Sequence, residues 1–431
     1  MTSGTTVVVL AAGKGTRMKS PWPKVLHPLC GRDMLAWVMD QAAALDPDRV
    51  VLVVGSGAEE VSQAAADMLP GRDVRTVVQE PQRGTGHAVQ VAVPELADGE
   101  RVVVLYGDMP LLRPETLVEL VELQKKSGPG SMALTTSRPE SARGYGRILR
   151  GADGSFERIV EEKDATPEQR SIDEVNVGVY CLDRAALLAD LPRLSDDNAQ
   201  GELYLTDLPE MAVADGRKVV SVELSDAEDG LGVNTLRQLA EVRAILQERI
   251  LETHLAEGVL IEDPATASIE HGVEIGAGTR ILPHVVLHSG VRIGQGCEVG
   301  PFTHLRTGTV LEDGAQVGNF TECKNSTLGA GSKAKHLSYL GDTHVGERTN
   351  IGAGTIFANY DGKAKHRTEV GSRVFIGSGT IIVAPNTIPD ETTTGAGAVV
   401  TRGTRMQPGE VFLGVPARRH GGSSAGEDPE G

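Results

Sequence analysis

From Ile275 to Cys323 a small or apolar residue returns at every sixth position, through Ile281, Leu287, Ile293, Val299, Leu305, Leu311 and Val317. After one five-residue step the period resumes at Leu328, Ala334 and Leu340. It steps again to Val345, continues through Ile351 and Phe357, is interrupted from Ala358 to Glu369, and returns at Val370, Ile376, Ile382, Ile388, Thr394 and Val400. Simple alternation of period two would not sustain a period of six over so many steps. Glycine follows many of these positions, among them Gly276, Gly294, Gly300, Gly318 and Gly352. The pattern predicts a parallel β-helix built from hexapeptides: each is one short strand and a turn, three make a triangular coil, and the repeat residue points into the axial core. Gly is abundant, at 52 residues, and aromatics make up only 3% of the chain, as suits a core of medium aliphatic side chains joined by tight turns.

The first half has another character. Val7-Val8-Val9-Leu10, Val50 to Val54 and Val102 to Leu105 are unbroken aliphatic runs, separated by segments of helical spacing such as Met34 to Leu45 and Pro114 to Lys125. Buried parallel strands alternating with helices predict a doubly wound α/β sheet, whose ligands bind beyond the carboxyl ends of the strands. Leu236, Leu239, Val242, Leu246, Ile250 and Leu251 have the spacing of one long amphipathic helix. A chain of 431 residues exceeds one compact core. The expected division is a nucleotide-binding domain over 1–234, a helical linker over 235–257, the β-helix over 258–420, and a disordered Gly-, Ser- and acid-rich tail over 421–431.

Formal net charge is −17, so a generic nucleic-acid or anionic-membrane surface is disfavoured, and any phosphate must be held by a few placed cations. Cys30, Cys181, Cys297 and Cys323 have neither metal-type nor disulfide-type spacing and read as reduced. With no stretch of about 20 apolar residues and no signal peptide ahead of the first strand, the expectation is a soluble, cytoplasmic protein.

Leu10-Ala11-Ala12-Gly13-Lys14-Gly15-Thr16-Arg17-Met18 leaves the first strand, with Pro23-Lys24 just after. A Gly-rich turn at a strand end offers backbone N–H groups to a polyphosphate, because Gly13 and Gly15 carry no side chain to block its approach. Arg17 and Lys24 then supply charge. The loop has neither Walker A spacing nor the third Gly of the Rossmann fingerprint.

This loop, with Pro23-Lys24-Val25-Leu26, resembles the sugar-1-phosphate nucleotidyltransferases. The resemblance extends through Gln79 with Gly84-Thr85-Gly86-His87, Tyr106-Gly107-Asp108, Gly144-Tyr145-Gly146-Arg147, Val160-Glu161-Glu162-Lys163, Val175-Asn176-Val177-Gly178 and Gly232-Val233-Asn234. Joined to a hexapeptide β-helix, residues 5 to 416 resemble the bifunctional N-acetylglucosamine-1-phosphate uridylyltransferase/glucosamine-1-phosphate acetyltransferase family. The resemblance implies that Asp108 and Asn234 hold Mg²⁺ between the sugar phosphate and UTP, an arrangement that suits an ion keeping several positions for water and phosphate. It implies that Leu10 to Gly13, Arg17 and Lys24 cradle the nucleotide and Gln79, Gly84 and Thr85 read the uracil. Tyr106, Gly107, Gly146, Glu161 and Asn176 would line the sugar side.

In the β-helix, polar residues break the repeat's own rule at Glu322-Cys323-Lys324, at Lys335-His336 and Tyr339, and in the interruption Asn359-Tyr360-Asp361-Gly362-Lys363-Ala364-Lys365. The resemblance implies His336 as general base, with Glu322 assisting, for attack of a glucosamine amine on acetyl-CoA; an imidazole suits that task because its pKa lies near working pH. Arg306, Lys324, Tyr339, Asn350 and Lys365 would hold glucosamine-1-phosphate, and Ala353, Asn359, Tyr360, Ser378 and Ala396 would meet acetyl-CoA. One position departs from the family: an Arg that contacts CoA phosphates in some members is Gly414 here, with Arg418 or Arg419 as substitutes. Lys335 reads as a solvated turn residue. Triangular β-helices of this kind pack side by side, so a homotrimer with an acetyl-transfer site between subunits is expected, making a precursor for bacterial cell-wall synthesis. Two rivals stand beside this: a nucleotidyltransferase whose β-helix only regulates and oligomerises, and an inactive scaffold that keeps both folds.

Overall fold

The computed structural model describes residues 4–420; the tail at 421–431 lies outside them. Contacts divide the chain between Arg243 and Ala244, within the helix Leu236–Ala256. Each unit is taken by itself.

The first unit is built on strands β1 (Thr5–Ala11), β2 (Arg49–Val54), β3 (Val74–Val78), β4 (Arg101–Tyr106), β5 (Met132–Ser137), β6 (Arg147–Arg150), β7 (Phe156–Val160), β8 (Val175–Asp183) and β9 (Val219–Glu223). The sheet order is β9-β5-β8-β4-β1-β2-β3, with β6 paired to β8 and β7. Strand β1 lies parallel to both β2 and β4, and its residues are buried throughout, which is why the sequence shows unbroken aliphatic runs rather than alternation. The three aliphatic runs read as parallel strands are parallel, and the sheet becomes mixed beyond them: β8 runs antiparallel to β4, β5 and β6. Two apolar layers follow, one under Leu35, Val38 and Leu117 and one under Val89, Leu187 and Leu205. The carboxyl ends of β1 and β4 are adjacent, so the loops after Ala11 and Tyr106 meet there.

In the second unit the repeat residues become three stacks of parallel strands, in sheets of ten, eight and seven strands. Ile281 pairs with Val299 and Val299 with Val317, eighteen residues on each time, so each coil consumes three hexapeptides. The five-residue steps shorten a coil without breaking register, as Leu311 pairs with Leu328. The interruption is absorbed outside the helix, since Ile351 still pairs with Ile376. Every repeat residue from Ile275 to Val400 is buried.

A second column, unforeseen from the aliphatic period, fills the corners. Thr279, Thr303, Ser332, Thr349 and Thr380 are buried, and each hydroxyl donates to a turn carbonyl: those of Gly294, Gly318, Gly346, Gly371 and Gly377, at 2.6–2.8 Å. These carbonyls would otherwise be stranded in an apolar prism. Gly318 is constrained twice, because its carbonyl accepts from Thr303 and a methyl on its Cα would collide with the Lys335 carbonyl of the next coil. Gly318→Ala is therefore expected to cost about 1–3 kcal/mol of stability, read as a fall in the β-helix unfolding midpoint in denaturant.

Candidate active sites

The first site starts at the end of β1. Gly15 takes a left-handed conformation, φ 61°, and opens a single 3-10 turn, Thr16–Met18, while Lys24 begins a second one, Lys24–Leu26. A Cβ at Gly15 would press on the Lys24 side chain, so the glycine is what lets the two segments close on each other. The Lys24 ammonium bonds the Asp108 carboxylate and lies 2.7 Å from Asn234 Oδ1. Arg17 Nη2 donates to the same Asn234 oxygen at 2.9 Å. Asn234 is held in place by its neighbours: Val233 N–H donates to the Asp108 carbonyl at 2.9 Å, and Asn234 N–H to Gln238 Oε1 at 2.9 Å.

A cleft of about 410 Å³ opens beside this cluster. It gathers Leu10 to Gly13, Lys24, Gln79, Gly84, Thr85, Tyr106 and Asp108, and adds Lys14, Gln82 and Glu202, which sequence reasoning had not singled out. Gln82 reaches across to the Ala12 carbonyl and Gln79 Nε2 donates to the Gly84 carbonyl at 2.8 Å, so the two loops are tied to each other. The signal for Gln82 was its place three residues after Gln79, on the same loop. Gly107 donates its N–H to the Leu10 carbonyl at 2.9 Å, fixing Asp108 beside the loop.

Of the residues expected on the sugar side, Tyr106 lines that cleft, while Gly146, Glu161 and Asn176 form a group outside its lining. Asn176 N–H donates to the Gly146 carbonyl at 2.9 Å, Asn176 Nδ2 donates to the Tyr180 hydroxyl at 2.8 Å, and the Thr206 hydroxyl donates to Glu161 at 3.0 Å. Glu162, next to Glu161, accepts the Gly144 N–H and so holds the Gly144–Gly146 turn. Burial pushes the Glu161 carboxyl up, against the lowering effect of Thr206. Burial, then Glu161, pushes the Tyr106 hydroxyl well above the usual tyrosine range, so it stays a donor.

Asp207, beneath this group, is pushed up to about 6 by burial first and then by Glu210, Glu161 and Asp164. A carboxyl raised on folding binds more protons in the native than in the unfolded state, so it lowers stability as pH climbs from its unfolded value through about 6. Asp207→Asn should accordingly raise Tm at pH 8 more than at pH 5; an equal shift at both would remove the assignment.

The second site lies on the β-helix. Arg306 Nη1 meets Glu322 Oε1 at 3.0 Å on the outward face of the eight-strand sheet, and Glu322 pairs in register with Tyr339 on the next coil. The Lys365 ammonium beside it holds Lys324 below the usual lysine range, so two cations crowd one spot. Asn359 Nδ2 donates to Asp342 at 2.5 Å and Asn325 Nδ2 to its other oxygen at 2.7 Å. The loop that interrupts the repeat is closed by a bridge between exposed Tyr360 and Lys365. Lys335, by contrast, is engaged with Glu298 at 3.2 Å, in keeping with its reading as a surface residue.

His336 is exposed, and among the described residues its ring makes no hydrogen bond. It heads a column. Gly354 N–H donates to the His336 carbonyl, Gly379 N–H to that of Ala353 and Gly397 N–H to that of Ser378. Thus His336, Ala353, Ser378 and Ala396 stand on successive coils beside Gly354, Gly379 and Gly397, a strip of bare backbone that a slender chain can approach closely. Asn350 is not with the others: it pairs with Lys333 and Phe375 in the ten-strand sheet, a different face of the prism from Arg306, Glu322 and Tyr339.

Among the described residues no group of three or more His, Cys, Asp or Glu side chains converges on a metal position. The oxygens of Asp108 and Asn234 nevertheless converge on one cation, the Lys24 ammonium. A carboxylate and an amide oxygen are the hard donors Mg²⁺ takes, so the pair fits that ion. All four cysteines are buried and none is in a disulfide. No helix among the described residues is long and apolar enough to cross a membrane.

A Gly-rich loop beside two oxygens that converge on one ammonium, in one chain with a hexapeptide β-helix, has the layout of a two-domain enzyme of the nucleotidyltransferase type. Residues 7–207 match the family described as MobA-like NTP transferase domain. Along its whole length the chain is 44% identical to the bifunctional protein GlmU of Alkalilimnicola ehrlichii (strain ATCC BAA-1101 / DSM 17681 / MLHE-1), covering 100% of this chain and 98% of the relative. It is likewise 44% identical to the bifunctional protein GlmU of Paracidovorax citrulli (strain AAC00-1), over 92% of this chain and 93% of the relative. The chain belongs to the bifunctional GlmU family, and its two units carry the Rossmann-like nucleotidyltransferase fold and the left-handed parallel β-helix expected of that family.

Proposed function

We propose that this chain makes UDP-N-acetylglucosamine by two reactions at separate sites. Acetyl-CoA and glucosamine-1-phosphate give N-acetylglucosamine-1-phosphate, which then takes UMP from UTP with release of pyrophosphate. The observation that carries the reading is the match to bifunctional relatives over both units of the chain.

At the first site the N–H groups of Gly13 to Gly15, with Arg17 and Lys24, hold and neutralise the triphosphate. Gln79, Gly84 and Thr85 hold the base, while Tyr106, Gly146, Glu161 and Asn176 hold the sugar. Asp108 and Asn234 would hold Mg²⁺, which supplies charge compensation between the attacking phosphate and the α-phosphate of the nucleotide. Lys24 already occupies that convergence of oxygens, so it serves as the counter-charge that moves onto phosphate when the substrates bind.

At the second site Arg306, Lys324 and Lys365 receive the sugar phosphate. The free ring of His336 accepts the proton of the attacking amine as nitrogen bonds to the thioester carbonyl carbon; the C–S bond then breaks and the thiolate takes a proton. Glu322 assists from the eight-strand sheet, whereas His336 ends a strand of the ten-strand sheet. The strip beside Ala353, Ser378 and Ala396 takes the pantetheine arm, with Asn359 and Tyr360 at its rim. Arg419 is engaged by Glu410 at 2.9 Å, whereas Arg418 stands opposite Leu413, whose side chain covers Gly395 beside Ala396. That contrast supports Arg418 over Arg419 as the cation for a CoA phosphate in a chain with Gly414. Asn350 lies on another face of the prism, so the sugar site is completed by a second copy of the chain, in a homotrimer. Light scattering that returned a monomer mass would remove the trimer.

Asp108→Asn should abolish pyrophosphate release from UTP and N-acetylglucosamine-1-phosphate while leaving acetyl transfer nearly intact. His336→Ala should do the reverse, lowering thiol release from acetyl-CoA by about 10² to 10⁴. One substitution that ended both activities would contradict two independent sites, and a native protein that released thiol with neither glucosamine-1-phosphate nor glucosamine-6-phosphate would reduce the β-helix to a structural domain.

A further inference from the structure

On the outward face of the eight-strand sheet two rows flank the buried core column. One runs Glu270, His288, Arg306, Lys324 and the other Val286, His304, Glu322, Tyr339. The upper rungs belong to the acetyl-transfer site; Glu270, His288 and His304 below them have no role in it so far. They are nonetheless bonded to one another. Glu270 Oε2 lies 3.1 Å from His288 Nδ1 and also accepts the Ser289 N–H at 2.9 Å, and His288 Nε2 faces His304 Nε2 at 2.8 Å. The two rings are tilted by 54°.

Two imidazole nitrogens at that separation need one proton between them and a lone pair on the other side. Glu270 accepts a proton donated by His288 Nδ1, which leaves His288 Nε2 with its lone pair when the ring is neutral. The proton between the rings then belongs to His304, which donates from Nε2. This assignment satisfies both contacts with no net charge on the rings, and it leaves His304 Nδ1 as the place for the next proton. If both rings were charged, two donors would face each other and the contact would break, so the pair holds at most one positive charge.

Four charged or titratable groups bear on His304: His288 beside it, Glu270 behind His288, and Arg306 and Glu322 on the strands packed against it. Burial first, then His288 and Arg306, hold His304 below the ordinary histidine range, while Glu322 and Glu270 oppose this. Its register partner is Glu322, the carboxylate that Arg306 binds at 3.0 Å.

We infer that His288 and His304, aligned by Glu270, are positioning residues for the acetyl-transfer site: the neutral pair leaves Glu322 to Arg306, and the protonated pair competes for Glu322 and adds a cation beside the sugar-phosphate residues. The inference rests on the acetyl-transfer reading above. Burial and the neighbouring His288 hold His304 below the ordinary histidine range, so His304 takes its second proton, and the site changes, on the acidic side of that range.

The test is the pH profile of kcat/KM for glucosamine-1-phosphate in the full-length native protein, His288→Gln and His304→Gln, with uridylyl transfer in the same samples as the measure of folding. His288→Gln removes the ring that competes for the pair's single positive charge, so His304 should titrate higher and the acidic limb should move to higher pH. His304→Gln should remove the pair's part of that limb and raise KM more than it lowers kcat. Uridylyl transfer should stay unchanged in both. Profiles of both variants that superimpose on the native one would overturn the inference while leaving the acetyl-transfer reading intact; absence of acetyl transfer in the native protein would sink the reading and the inference together. A histidine ¹H–¹⁵N spectrum gives a second check, since a neutral His288 protonated on Nε2 instead of Nδ1 would also overturn it.

Discussion

The coil-to-coil hydrogen-bond ladder of the β-helix is the constraint from which the rest of that unit follows. A parallel ladder with a fixed offset turns a position in the sequence repeat into a column in space. Ile281, Val299 and Val317 stack because each strand pairs with the one a coil later. The same rule stacks what lies beside them, so hydroxyls form a corner column, His336 heads a strip of small residues, and Arg306 stands below Lys324. Function is written on the outside of the prism by the arithmetic that builds its inside. It also explains why an insertion between Ala358 and Thr368 is tolerated: Ile351 and Ile376 keep their pairing, and the extra residues leave the ladder as a loop.

The α/β unit solves its problem differently. There the chemistry comes from loops that meet where adjacent parallel strands end, and no repeat places them. What closes the site is one ammonium. Lys24 draws together an oxygen from the turn after β4 and another from Asn234, which precedes the long helix. The three residues are far apart in sequence, and only the sheet order, with β1 between β2 and β4, makes them neighbours.

This difference governs what could be read beforehand. The β-helix was legible almost residue by residue, because a periodic apolar position under a ladder has one geometry available to it. Its hydroxyl column was not, since Thr and Ser in a turn carry no sign of whether they face solvent or a stranded carbonyl. In the α/β unit the aliphatic runs of β1, β2 and β4 were plain, but the antiparallel course of β8 was hidden: a strand buried on both faces reads alike in either direction. Gln82, Glu202 and Thr206 escaped for a related reason, as each acts by a contact distant in sequence, such as Thr206 on Glu161. Asn350 was grouped with Arg306 and Tyr339 by resemblance, and only the register shows that it stands on another face.

Both sites also answer the chain's overall charge. With a formal net charge of −17, the protein's own field opposes the approach of a phosphate, so each site must invert that field locally. The first does so with cations paired to oxygens: Lys24 to Asp108 and Asn234, and Arg17 to Asn234. The second sets Lys324 beside Lys365, with the Asp342 carboxylate offsetting part of their repulsion. An anion placed between them would relieve that repulsion as it binds. The first cluster is thus tied together by its own oxygens, whereas in the second two ammonium groups share one carboxylate and keep a local excess of positive charge.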